Sequence, residues 1–355
     1  MPEAHSRIAT ASLPKGVSLL LDVLRFAAAC VVVLGHISSP EICPKFPHLL
    51  SAASVAVGFF FLLSGFVIQH TVTVKRSSLH RYAIERAARI YSVLVPALVL
   101  SVCLLAVRGA AVGDTWQTAG LSFLNYTQFW SHDLSVTGNG PVWSLGYEVP
   151  YYVLFGIYYF LGGWRRGLLI AVFAAAMGPT VFLLFPIWWA GTWLYKVLLT
   201  KEPSKSMGLA TLAACTVGAV ALVAVNGHIH LKIPLARAAE WPLFYAGGLL
   251  TAGCLAAGFA YRSQLAKLAS YEKAIRFLAG ATFSTYLFHL PILRLAASSG
   301  RFPHQSNAVG IALFFSVVAV CVLLSRFTEA KKEPWLRLFE RIIPAGWVRS
   351  QAEPA

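Results

Sequence analysis

Long apolar runs alternate along this chain with short polar intervals, and the spacing is close to regular. Runs of about 20 mostly apolar residues fall near 17–39, 50–72, 90–110, 143–162, 166–183, 184–200, 207–226, 240–260, 275–298 and 306–326. Each run has the length a helix needs to cross a hydrocarbon core about 30 Å thick. The pattern therefore predicts an all-α, polytopic transmembrane helical bundle of about ten helices. The least defined division is within 164–200, where Gly178-Pro179 and Pro186 are the only punctuation and a re-entrant hairpin fits as well. With no internal repeat or heptad run, one membrane domain is expected over 17–326, between a short segment 1–16 and a tail 327–355.

Composition sharpens this picture. The chain is 57% hydrophobic and 12% charged, with a mean hydropathy of +0.67, values that suit a bilayer better than water. Its formal net charge of +15 raises nucleic acid as a partner, but a nucleic-acid binder gathers Lys and Arg on one water-exposed face. Here they lie between the apolar runs. If the N-terminus is cytoplasmic, 22 basic residues fall on the inner side and 6 on the outer, with Arg25 inside the first run. That asymmetry is the positive-inside rule, so both termini are expected in the cytoplasm and no nucleic-acid partner is expected. The first run holds Asp22 and Arg25 and no small-residue cleavage site, so it reads as a retained helix. Five of the six cysteines lie within apolar runs and none has a metal-ligand spacing, which marks them as small packing residues.

Candidate chemistry lies in the polar residues of these runs. A charge near mid-bilayer costs a helix roughly 2.5–3.5 kcal/mol on insertion scales, so each such residue needs a partner or a function. Arg25 and His36 are eleven positions apart, close to three turns, which puts them on one face about 16 Å apart. Asp22 precedes Arg25 by one turn and is placed to neutralise it. A lone His in an apolar helix is commonly a packing residue, but a shared stripe with Arg25 implies a cavity. Arg86 and Arg89, at i and i+3, suit the oxygens of a phosphate; contact with lipid headgroups fits them equally. Glu148 follows Trp143 by little more than a turn at the outward end of the fourth run. His289 is about 21 Å up the ninth run, so His36, Glu148 and His289 are expected to converge in the outer third. Such a group equips a general base. It equips a proton-coupled transporter too, and a transporter of acyl groups or small anions without catalysis stands beside the enzyme at this point.

The motifs in order are LDVLR with a His eleven positions after its Arg (Asp22, Arg25, His36), FFLLSGF (Phe60 to Phe66), RAARIY (Arg86, Arg89, Tyr91), WSLGYE (Trp143 to Glu148), YLFHLP (Tyr286, His289, Pro291) and Glu333-Pro334 followed by Arg337. Over residues 16 to 340 this series resembles the acyltransferase family 3 membrane proteins, the type that O-acetylates O-antigen, exopolysaccharides and related glycans. Two positions depart from the family pattern: Ser92 stands where a Pro usually follows the RIY segment, and Pro150 stands where an aromatic or apolar residue is usual.

The resemblance implies an acyl-CoA donor, acetyl being the commonest acyl group in the family, with its phosphates at Arg86, Arg89 and Arg25. It implies His36 as general base on the acceptor hydroxyl, with Glu148 orienting His36 or binding sugar; an acyl-His36 intermediate is the alternative route. Trp143, Ser144, Tyr286 and His289 are implied in substrate binding, either at the thioester carbonyl or at acceptor hydroxyls. The acceptor class is a carbohydrate, a lipid-linked sugar or a similar hydroxyl-bearing molecule. The expected location is the inner (plasma) membrane, with membrane lipids as further partners. No bound cofactor is expected, and no metal, since the histidines form no helical i,i+4 ligand pair.

Overall fold

The computed structural model describes residues 13–107, 112–134, 136, 138–226, 235, 237–298 and 306–343. Arg7, Arg108, Lys232, Arg301 and Arg349, which entered the count of basic residues, lie outside the described residues. The chain folds into an all-α bundle. Its first helices are α1 (Lys15–Ile37), α2 (Leu50–Lys75) and α3 (Leu79–Val107). After α4 (Val112–Phe123), a two-residue-strand hairpin, β1 (Gln128–Phe129) with β2 (His132–Asp133), precedes a 3-10 turn at Gly140–Ser144. The bundle continues with α5 (Leu145–Phe160), α6 (Gly163–Met177), α7 (Pro179–Thr200), α8 (Lys205–Asn226) and α9 (Trp241–Ala260). A short α10 (Arg262–Leu265) leads to α11 (Glu272–Ala279), α12 (Thr282–Ser298), α13 (Asn307–Ser325) and α14 (Glu333–Ile342).

All ten predicted runs fall on helices. Among the described residues, seven stretches are long and apolar enough to cross a membrane: Lys15–Ile37, Leu50–Lys75, Leu79–Ala106, Pro179–Thr200, Lys205–Asn226, Trp241–Ala260 and Asn307–Ile342. The other three runs lie on α5, α6 and α12, which have 16, 15 and 17 residues. These are shorter than the roughly 20 residues of a full crossing. Val217 and Val220 on α8 and Phe315 and Leu323 on α13 point outward, an arrangement suited to lipid and unsuited to water.

Helix α2 is apolar on nearly all sides, as a helix at the centre of a bundle must be, and it packs against α1, α7 and α9. Two reciprocal pairs of glycines bring the backbones together. A Cβ at Gly65 would lie 1.9 Å from the Trp188 carbonyl oxygen, and one at Gly191 would lie 2.0 Å from that of Leu62. On the other flank, a Cβ at Gly58 would lie 1.9 Å from the Phe244 carbonyl oxygen, and one at Gly247 would lie 1.9 Å from that of Val55. Such small-residue contacts are how helices associate closely where water supplies no driving force.

Three boundaries differ from the sequence expectation. The break between the fifth and sixth runs falls at Gly178, whose φ is +70°, and not near 183. Pro179 starts α7, where its missing N–H costs nothing, and Pro186 is absorbed inside the helix. The third run begins eleven residues early, at Leu79, so Arg86 and Arg89 ride within the helix. The ninth run is two elements, because α11 is strongly amphipathic and lies against the start of α1, with Lys15 at 2.6 Å from Glu272. Downstream, α14 lays Trp335, Leu336 and Phe339 on Ile84 and Ala88 of α3, and Glu340 pairs with Arg81 at 3.0 Å.

Candidate active site

Helices α1 and α12 pack together and bring the two histidines into contact. His36 Nδ1 is 3.1 Å from His289 Nε2, and the ring centroids are 4.9 Å apart. Each ring also turns its Nδ1 to the carbonyl one turn earlier on its own helix: His36 to Val32 at 2.9 Å and His289 to Thr285 at 3.0 Å. His289 is fully buried, whereas His36 is half-buried. One turn before His289, the Tyr286 hydroxyl donates to Ser144 Oγ at 2.9 Å. This bond joins α12 to the 3-10 turn that leads into α5.

From the histidines toward the N-terminal end of α1 lies a cavity. Arg25, Arg86 and Arg89 supply its charge, Ser64, Glu148 and Tyr152 its other polar wall, and Phe60, Phe61, Leu63 and Ile90 much of the rest. Among the described residues these guanidiniums make no short ion pair with a protein acid, although Glu329 lies near enough to Arg89 and Arg25 to act on both electrostatically. Arg25 is 3.8 Å from Asp22 and Arg86 is 3.9 Å from Glu85, both too long for good hydrogen bonds. Arg86 Nε is buried and meets no acceptor among the described residues. Glu148, for its part, accepts hydrogen bonds from two hydroxyls, those of Ser64 at 2.9 Å and of Tyr152. Among the described residues it forms no ion pair.

A family profile described as acyltransferase domain, that of acyltransferase family 3, matches residues 19–326. The chain belongs to acyltransferase family 3. A curated relative, acyltransferase MdmB of Streptomyces mycarofaciens, is 29% identical over 149 residues, a match that spans 39% of this chain and 38% of the relative. No solved structure matches.

In this family 3 acyltransferase the predicted site residues divide into two groups. His36, His289, Tyr286 and Ser144 form one connected set; Arg25, Arg86, Arg89 and Glu148 line the cavity, which Tyr286 and Ser144 also border. The expectation that Glu148 shares the histidines' depth and reaches His36 is not met. Gly35 on α1 faces Ala53 on α2, whereas the Glu148 partner Ser64 is eleven residues further along α2, about 16 Å inward. The cause is the segment before α5. Instead of skirting the surface, it enters the bundle, with Asn139 Nδ2 donating to the Leu287 carbonyl at 3.0 Å and to Ser101 Oγ at 3.2 Å. The helix carrying Glu148 thus begins deep.

Nor does Asp22 serve mainly Arg25, since α11 delivers Arg276 to the other Asp22 oxygen. Trp143 is buried against Phe244 and Tyr147, with the Arg237 guanidinium 4.7 Å over its ring, and it does not line the cavity. Sequence reasoning missed Tyr152 and Glu329. Tyr152 lies one turn beyond Glu148 on the same helix face, a spacing that marks it as a partner. Glu329 accepts from Ser284 N at 3.1 Å near the start of α12; it follows the last apolar run, where nothing in the pattern points back into the bundle.

Proposed function

We propose that this acyltransferase moves an acetyl or other short acyl group from acyl-CoA to a hydroxyl of a cell-surface or lipid-linked carbohydrate. In this reading all ten runs cross the plasma membrane, α5, α6 and α12 as shortened helices, with both termini cytoplasmic. The observation that carries it is the cavity: Arg25 and Arg86 meet acids only at 3.8 and 3.9 Å, Arg86 Nε is buried with no acceptor among the described residues, and apolar walls lie beside them. Part-buried guanidiniums in that state are costly, and a ligand with phosphates at one end and a thin apolar arm answers both features. Coenzyme A thioesters have that form.

The cavity continues to Tyr286 and Ser144, and Tyr286 is the link to the histidines. The acyl thioester would end there. His36 takes the proton of the acceptor hydroxyl as its oxygen attacks the thioester carbonyl carbon; the C–S bond breaks, and the proton passes from His36 to the departing thiolate. Trp143, which is packed away from the cavity, holds the α5 entry in place and does not touch substrate.

The test is transfer of label from [14C]acetyl-CoA to glycan or glycolipid by purified protein in liposomes, wild type beside His36→Ala. Label moving to the acceptor only when His36 is present supports the reading. Label that crosses the bilayer as an unmodified small molecule would replace it with transport.

A further inference from the structure

The contact between the two histidines has a direction, and it gives His289 a part separate from substrate binding. His289 Nδ1 faces the Thr285 carbonyl oxygen at 3.0 Å. A carbonyl oxygen only accepts, so this nitrogen carries the ring proton. His289 is fully buried, and in the neutral ring with Nδ1 protonated its Nε2 holds a lone pair. That lone pair lies 3.1 Å from His36 Nδ1, which also faces the Val32 carbonyl oxygen at 2.9 Å. With two acceptors before it, His36 Nδ1 carries the proton of its ring. The basic nitrogen of His36 is therefore Nε2.

We infer that His289 is a positioning residue, whose Nε2 accepts the His36 Nδ1 hydrogen, fixes the ring's rotation and holds Nε2 of His36 as the free base. The Val32 carbonyl cannot do this alone. It lies on the same helix as His36, one turn back, and is already engaged as the i−4 acceptor of that helix; His289 comes from α12 and sets the ring against a second element. The arrangement repeats, with an imidazole as acceptor, the logic by which a carboxylate orients the histidine of a catalytic triad. When His36 gains a proton during acyl transfer, its Nδ1–H bond to His289 becomes charge-assisted and strengthens, so His289 stabilises the protonated base without itself ionising. The inference rests on His36 being the base.

The experiment compares His36→Ala, His289→Phe and His289→Gln in liposomes, measuring acyl transfer, KM for acetyl-CoA and equilibrium binding of [14C]acetyl-CoA. Phe fills the site without an acceptor; Gln offers a side-chain oxygen near the place of Nε2. His289→Phe is expected to lower kcat by about 10- to 100-fold, as losing an orienting partner does at ligating imidazoles, with KM and binding unchanged. His289→Gln is expected to recover most of that loss. Full activity in His289→Phe, or a Gln variant as impaired as Phe, overturns the role of His289 while His36→Ala stays inactive. An active His36→Ala overturns the underlying reading instead. A measurement that does not depend on any His289 variant folding is the 15N spectrum of histidine-labelled wild type, with His36 assigned by difference from His36→Ala. The proton on Nδ1 is the expected result, and a proton on Nε2 of neutral His36 contradicts the inference.

Discussion

At the C-terminal end of α1 the two histidines meet acceptors at 2.9, 3.0 and 3.1 Å, while eleven residues back along that helix three guanidiniums share a cavity whose ion pairs stretch to 3.8 and 3.9 Å. The first region is closed by its own neighbours. The second leaves Arg86 Nε with no acceptor and has a carboxylate, Glu148, that is held by hydroxyls and not by the arginines. The difference separates a pre-set reacting group from a binding site. An imidazole works by orientation and gains from being fixed before substrate arrives, whereas buried cations without good partners gain most from an anionic ligand.

If that division holds, damage to each region has a different kinetic signature. The largest effect is expected from His36→Ala, which should lower kcat by about 10²- to 10⁴-fold, the range of a general base, with KM for acetyl-CoA nearly unchanged in initial-rate measurements. Arg86→Ala should act on the other parameter. Loss of charged hydrogen bonds at about 1.5–3 kcal/mol corresponds to a KM rise of roughly 10- to 150-fold, and Arg86→Lys should restore only part of it, since an ammonium lacks the planar fork. Either variant changing mainly the other's parameter would dissolve the division.

Two smaller changes sharpen the comparison by loosening the cavity wall alone. Gly65→Ala places a methyl against the Trp188 carbonyl beside Ser64, and overpacking of that kind costs about 1–3 kcal/mol. A lower unfolding midpoint and weaker acetyl-CoA binding are expected, with kcat for bound substrate little altered. Tyr152→Phe removes one of the two hydroxyls on Glu148, at about 1 kcal/mol. Its mark should be a modest loss of acetyl-CoA affinity by equilibrium binding, and no change in the state of His36.

Much of this was legible in the chain. Periodicity and run length put all ten apolar runs on helices, because a bilayer punishes any spanning segment that leaves its backbone unpaired, but they did not announce α4 or α14, which lie in intervals that read as polar. The stripe of Arg25 and His36 announced a cavity, which Arg25 lines and His36 does not, and the Arg86 and Arg89 pair was seen at i,i+3. What hydropathy could not convey was depth. Glu148 was placed by assuming that α5 starts at the surface, yet Asn139 ties the preceding segment to Leu287 and Ser101 inside the bundle. The partnership of Asp22 with Arg276 and the position of Glu329 beside Ser284 join residues more than forty positions apart, beyond the reach of any local pattern. Breaks at Gly178 and between α11 and α12 likewise follow from packing and from a left-handed φ, which an apolar run does not reveal.

The most direct test of a binding cavity separate from a reacting histidine is equilibrium binding of [14C]acetyl-CoA to His36→Ala and Arg86→Ala in liposomes, beside wild type. The account predicts that His36→Ala binds as wild type does and transfers nothing, while Arg86→Ala binds weakly and transfers at a near-normal rate once saturated. Loss of binding in His36→Ala, or undiminished binding in Arg86→Ala, would contradict it.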